Sequence, residues 1–150
     1  MVGRILSINV SKKKGEKKTP VDEAVLIENF GIEGDAHGGS EVRQVSLLRV
    51  QDIDLMREKG AKVSFGDFAE NLTVEGLDMS GIQIGVSIRV GETLLEVTQI
   101  GKVCHDRYNI YKQVGFCVMP EWGIFTRVVK GGRIKIGDRV EVIRRNDFSE

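Results

Sequence analysis

Ile134-Lys135-Ile136-Gly137-Asp138-Arg139-Val140-Glu141-Val142 decides the fold class. Apolar and polar residues alternate with the period of a half-buried strand, and the pattern is interrupted once, at Gly137. A glycine between two alternating runs lets the chain bend sharply without a Cβ clash. Ile82-Gln83-Ile84-Gly85-Val86-Ser87-Ile88-Arg89-Val90-Gly91 carries the same Ile-x-Ile-Gly-x-x-apolar-x-Val pattern. Two such corners in one small domain predict a mainly β fold, a closed or nearly closed β-barrel with a few short helices. The echo covers only nine residues and is not an internal repeat.

Working outward, Leu94 to Ile100 reads as a further strand. Val2 to Val10 and Val21 to Phe30 read as the arms of a long hairpin. Between them Ser11 to Pro20 is polar and turn-forming, with five lysines. Such a lysine run invites a phosphate-binding reading, but charge runs usually only solvate a loop tip, and that is the reading taken. Gln51 to Lys59 predicts one short, peripheral helix, with acids early, bases late and Gly60 supplying the left-handed residue that ends it. Glycine makes up 18 of 150 residues, against a usual share of about 7%, dispersed as strand corners would require. With two prolines and no Ser- or Pro-rich linker, residues 1–150 read as a single domain.

Composition narrows the function classes. With 41% hydrophobic and 29% charged residues the chain is a globular one, long enough to bury a core. Lys plus Arg and Asp plus Glu both total 22, so no whole-molecule field draws the chain to nucleic acid or an anionic membrane. Neither a secretory signal nor a membrane-spanning apolar run is evident. Two cysteines are too few for a disulfide framework, so a reducing cytoplasm with free thiols is expected.

Three clusters carry chemistry-bearing residues. The first runs from Gly31-Ile32-Glu33-Gly34-Asp35-Ala36-His37-Gly38-Gly39 to Arg43-Gln44. Its glycines free backbone amides for an anion-binding nest, to which His37 and Arg43 would add donors. A plain strand connection, with Asp35 bonding its own backbone, explains the same residues. The second cluster contains Glu70-Asn71-Leu72-Thr73, where Asn71 would either read a ligand edge or cap a turn. The third is Gly101-Lys102-Val103-Cys104-His105-Asp106-Arg107. Positive neighbours lower a thiol pKa, so Lys102, His105 and Arg107 favour a nucleophilic thiolate at Cys104 over a buried apolar role. Period two puts His105 on the opposite strand face, so help from it as a base requires the strand to end or bulge there. Cys117, between Phe116 and Val118, reads as a core residue. Cys104, His105, Cys117 and His37 lack the paired spacing of a zinc site.

Together these segments resemble the MOSC family, the domain at the carboxyl end of molybdenum-cofactor sulfurases, in its stand-alone bacterial form. The resemblance runs from Gly31–Asp35 with Arg43-Gln44 through Glu70–Gly76 and Lys102–His105 to Met119-Pro120-Glu121-Trp122-Gly123 and Gly132–Asp138. It implies the same β-barrel, with Cys104 at the family's signature cysteine, either as a sulfur carrier or as a thiolate ligand to molybdenum. It also implies that Asp35, His37, Arg43, Asn71 and Lys102 line a pterin pocket. The amino-terminal β domain of the larger family reductases is not expected here, so a homodimer or a partner enzyme of cofactor biosynthesis would supply the missing wall.

Three functions follow from the resemblance. In the first, a cysteine desulfurase loads a persulfide onto Cys104, which delivers sulfur to a metal centre or cofactor. Pyridoxal phosphate would belong to that desulfurase and not to this chain. In the second, Cys104 ligates molybdenum in a reductase of N-hydroxylated compounds. In the third, the protein holds molybdopterin without transforming it.

Overall fold

A computed structural model describes residues 2–14, 16–101 and 122–143. In chain order the strands are β1 (Val2–Val10), β2 (Thr19–Val21), β3 (Glu23–Ile27), β4 (Gly31–Ile32) and β5 (Val45–Arg49), followed by the helix α1 (Val50–Glu58). After it come β6 (Leu72–Glu75), a 3-10 turn at Met79–Gly81, β7 (Ser87–Val90), β8 (Thr93–Ile100), β9 (Ile124–Lys130), β10 (Gly132–Lys135) and β11 (Arg139–Ile143).

Seven of these strands close into a barrel. Their order is β11-β7-β8-β9-β5-β6-β1, and β1 pairs back onto β11 through Val2 with Glu141, Gly3 with Val140 and Arg4 with Arg139. The closed barrel expected from the two Gly corners is therefore present. Its interior is filled by Ile5, Ile8, Leu47, Leu72, Val74, Ile88, Val90, Leu95, Val97, Val128 and Val140, all essentially inaccessible to solvent. β1 turns both Ile5 and Ile8 inward although they are three apart. A register shift against β6 between Ile5 and Ser7 supplies the extra residue that makes this compatible with a period of two.

β5 and β6 form a parallel pair and so require a crossover. α1 and the loop after it provide that crossover, outside the barrel. The helix is short, as expected, yet it fully buries Ile53 and Met56 in a second core with Leu48, Phe68 and Phe125. Arg49 and Asp52 clamp its first turn through two hydrogen bonds, of 2.9 and 2.8 Å.

Two expectations need correction. Instead of one long hairpin, β2 pairs only with Ile8–Val10, and β3 leaves for a small second sheet of order β10-β3-β4. The edge of β1 that the hairpin would have used is taken by β11 and by the turn at Gly137 and Asp138, whose backbones bond Ile5. The run Ile82–Gly91 is also not strand throughout, because β7 begins only at Ser87. Ile84 is 69% exposed, and no ladder partner holds the segment before Gly85. The equivalent run before Gly137 does pair, with β3. No helix among the described residues is long and apolar enough to cross a membrane.

Candidate functional site

The Gly-rich connection from β4 to β5 is pinned at both ends. At its start, Asp35 follows a turn closed by its own N–H on the Ile32 carbonyl. The Asp35 side chain receives Lys18 Nζ at 2.8 Å and the backbone N–H groups of Ser11 and His37 at 3.1 Å each. The side chains of Lys18 and Asp35 are both completely buried. Burial alone would push the Asp35 carboxyl up. The hydrogen bond and charge of Lys18 and the backbone amides of His37 and Ser11 outweigh that and hold it far below the usual carboxylate range. Lys18 was expected in a solvated loop tip. Instead it turns inward, while Lys12, Lys13, Lys14 and Lys17 stay exposed.

The Lys18 ammonium has three donors and three acceptors around it. Besides Asp35 these are Ser11 Oγ at 3.1 Å and His37 Nδ1 at 3.0 Å. An ammonium group cannot accept a hydrogen bond, so Nδ1 must offer its lone pair and the ring proton must sit on Nε2. Nε2–H of His37 is thus the ring donor left over at the partly open edge of the cluster, where the side chain is 19% exposed. Nitrogen NMR of histidine-labelled protein at mildly alkaline pH should show the Nε2–H tautomer for His37. The Lys18→Met protein should show a mixture. A proton on Nδ1 in the unaltered protein would contradict the assignment.

At the other end of the connection, Arg43 Nε donates to Gln99 Oε1 at 3.1 Å, and the guanidinium lies 5.9 Å from the centre of the Phe125 ring. Gln99 in turn donates through Nε2 to the Gly101 carbonyl at 2.7 Å. Thr98 Oγ1 lies within hydrogen-bond distance of the carbonyls of Val42 and Phe125 beside it, and its single proton serves one of them at a time. A register shift between Val97 and Gln99 in the β8–β9 ladder makes this crossing possible. Gly101 is where the chain leaves β8, and its N–H donates to the Gly123 carbonyl at 2.7 Å, just before β9. Lys102, Cys104, His105 and Cys117 lie outside the described residues, on the segment between these two neighbouring ends.

Asn71 is placed differently from the loop residues. It is fully buried: Oδ1 accepts from the Ser46 N–H at 3.0 Å and from Ser46 Oγ, and Nδ2 donates to the Asn9 carbonyl at 3.1 Å. Its amide thus fastens β5, β6 and β1 together, a role larger than capping one turn. Glu70 beside it accepts from the N–H groups of Gly66 and Phe68 and from Thr73 Oγ1. Burial pushes the Glu70 carboxyl above its ordinary range despite those donors. The residues that sequence reasoning missed are Lys18, Ser11 and Gln99. Nothing in a run of lysines marks the one that turns inward.

The amides of Asp35, Ala36, His37, Gly38, Gly39 and Ser40 all donate within the protein, so the anion-binding nest expected of the Gly-rich loop is not formed there. The donors left for an anionic or carbonyl-bearing ligand are side-chain ones, Nε2–H of the part-exposed His37 and the terminal guanidinium nitrogens of Arg43. Among the described residues, no group of three or more His, Cys, Asp or Glu side chains is arranged to hold a metal ion.

Comparison with known proteins agrees with this architecture. The family model described as MOSC domain matches residues 33–141. The YflK protein of Bacillus subtilis strain 168 is 27% identical, over 95% of this chain and 74% of its own length. The YiiM protein of Escherichia coli K12 is 28% identical over 69% of this chain, a match that spans half of that relative. Among solved structures, the YuaD protein of Bacillus subtilis superposes with a TM-score of 0.75 at 17% identity, covering 95% of this chain and 96% of that one. YiiM of Geobacillus stearothermophilus superposes with a TM-score of 0.69 at 21% identity, covering 95% and 76%. At these identities the structural matches speak for the fold.

Proposed function

This chain belongs to the MOSC domain family, a group linked to molybdenum-cofactor metabolism, and on that premise we propose that it is a sulfur carrier working through the Cys104 sulfur. The observation that carries the reading is the relay from Arg43 through Gln99 to Gly101. It ties Arg43 to Gly101, the residue after which the Cys104 segment departs, three residues before the thiol in sequence.

The chemistry asks for one accessible thiolate and a source of sulfane sulfur. The Cys104 thiolate attacks the outer sulfur of a persulfide on a cysteine desulfurase. The donor S–S bond breaks, the donor cysteine leaves as thiolate, and Cys104 holds the new persulfide. His105 is assigned the thiol proton, and the charges of Lys102 and Arg107 favour the thiolate. Delivery as sulfide to a metal centre or cofactor consumes two electrons. A second thiol provides them by forming a disulfide with Cys104, which a further thiol then reduces. Arg43, His37 and Lys102 would orient the acceptor, an anionic pterin or an enzyme of cofactor biosynthesis that presents it.

Native, non-reducing intact mass of protein from a host that makes molybdenum cofactor tests this directly. One extra sulfur is expected on the unaltered protein and none on Cys104→Ser. A molybdopterin mass that disappears with Cys104→Ser would replace the carrier with a molybdenum-ligating reductase. Cofactor retained by that variant would leave only a binding module.

A further inference from the structure

The loop joining β1 to β2 and the first turn of the Gly-rich connection enclose a pocket of about 500 Å³, walled by Val10, Ser11, Lys12, Lys13, Lys17 and Gly34. We propose that this pocket is a binding site for a phosphate-type oxyanion, held by Lys12 and Lys13 against the Ser11–Gly34 wall. The site stands on its own residues and does not depend on the reading of Cys104.

Charge is the first argument. Three lysines face one acid, Glu16, in a chain whose formal net charge is zero, so the positive excess is local. Lys17 approaches Asp67 only at 3.8 Å. Among the described residues, no carboxylate comes within ion-pairing distance of Lys12 or Lys13. A solvated loop tip would explain exposed lysines, but not a concave wall behind them.

The second argument is that the wall is built and fixed. The buried Lys18 ammonium bonds the wall residue Ser11 and also Asp35, the neighbour in sequence of the wall residue Gly34, and His37. The Ala36 N–H donates to the Ser11 carbonyl at 2.8 Å, drawing the same two segments together. Asp35 is already engaged by Lys18 and Asp67 by Lys17, so neither carboxylate is left to pair with Lys12 or Lys13. Gly34 adds room: a Cβ built there would meet nothing within 4 Å, so the backbone is open to an incoming group. Charged donors on a preformed wall favour a doubly charged oxyanion over a neutral ligand. The volume also lies in the range of small-molecule sites and exceeds what a bare oxyanion fills, which leaves space for an ester.

Titration with inorganic phosphate at low ionic strength, followed by amide NMR, tests the site. Saturable shifts are expected at Ser11, Lys12, Thr19 and Gly34. The Lys12→Ala/Lys13→Ala protein should bind about tenfold or more weakly, the loss that one strong charged hydrogen bond represents. Lys12→Arg/Lys13→Arg should keep the binding, and Lys130→Ala, on β9, should not disturb it. Phenyl phosphate separates the sources of the anion: tighter binding identifies an ester, equal binding the free ion, and either keeps the site. Shifts that never saturate, unchanged affinity in the double alanine protein, or equal shifts with benzyl alcohol would overturn the proposal.

Discussion

Replacing Lys18 by methionine is expected to remove about 3–5 kcal/mol of folding stability, the usual consequence of leaving one partner of a buried ion pair unpaired. Lys18 and Asp35 are both withdrawn completely from water, and the ammonium contacts Ser11 and His37 as well. Methionine conserves length and apolar volume, so the loss reports on charge and hydrogen bonding more than on packing. The pH dependence gives a second readout. Asp35 is held far below the ordinary carboxylate range in the folded state. The unfolded chain therefore takes up a proton that the folded chain refuses. The resulting stability is complete above the unfolded carboxylate pKa, near about 4, and is lost as pH falls toward the folded value. Without Lys18 the depression shrinks and burial acts more strongly, so the acid loss of stability should flatten or reverse. Urea unfolding at about pH 7 and about pH 2.5, inside the window between the unfolded and folded values, measures both effects. A loss under about 1 kcal/mol with an unchanged acid slope would mean that the pair contributes no more than a surface bridge. Lys18→Met/Asp35→Leu should recover only part of the loss, because the amides of Ser11 and His37 would lose their acceptor.

The same cluster shows where sequence reasoning reached and where it stopped. The barrel was legible because Arg139–Val142 and Leu94–Ile100 alternate with period two, and Val140, Leu95 and Val97 do fill the core. Before Gly137 the pattern leads into the second sheet, where Ile134 is buried but Ile136 is 45% exposed. The candidate loop was legible because glycines around Asp35 and His37 form an unusual local composition. Lys18 was not, because only the fold decides which of five lysines lies opposite a buried carboxylate. Gln99 was hidden for a similar reason: as a polar residue in an alternating strand it reads as solvent-facing until the register shift sets it beside Arg43. Asn71 was legible as a special residue, but which of its alternative partners it meets depends on β1, more than sixty residues earlier. Local periodicity names elements. Pairing between distant elements decides which polar groups meet, and no short-range pattern encodes that.

Gly3→Ala is expected to cost about 3 kcal/mol, at the upper end of overpacking penalties, because the neighbour that must give way is backbone. A Cβ on Gly3 would run into the carbonyl oxygen of Glu75, which β6 holds in place through its ladder with β1. Gly76 completes the crossing: a Cβ there would lie 2.8 Å from the Gly3 Cα, and its φ of +82° already disfavours other residues. The site matters beyond its own strain because Gly3 pairs with Val140 in the short ladder that closes the barrel. Lifting β1 away from β6 therefore loosens the seam with β11 as well. Hydrogen exchange should show lost protection at the seam amides of β11, while the β8–β9 ladder opposite keeps its own. Gly81→Ala is the control, since a Cβ there meets nothing within 4 Å and the backbone is not left-handed. It should change stability by less than about 0.5 kcal/mol. If the two alanine proteins unfold at the same urea concentration, the close approach of β1 and β6 is not what holds the barrel shut. The closure would then rest on the buried side chains alone.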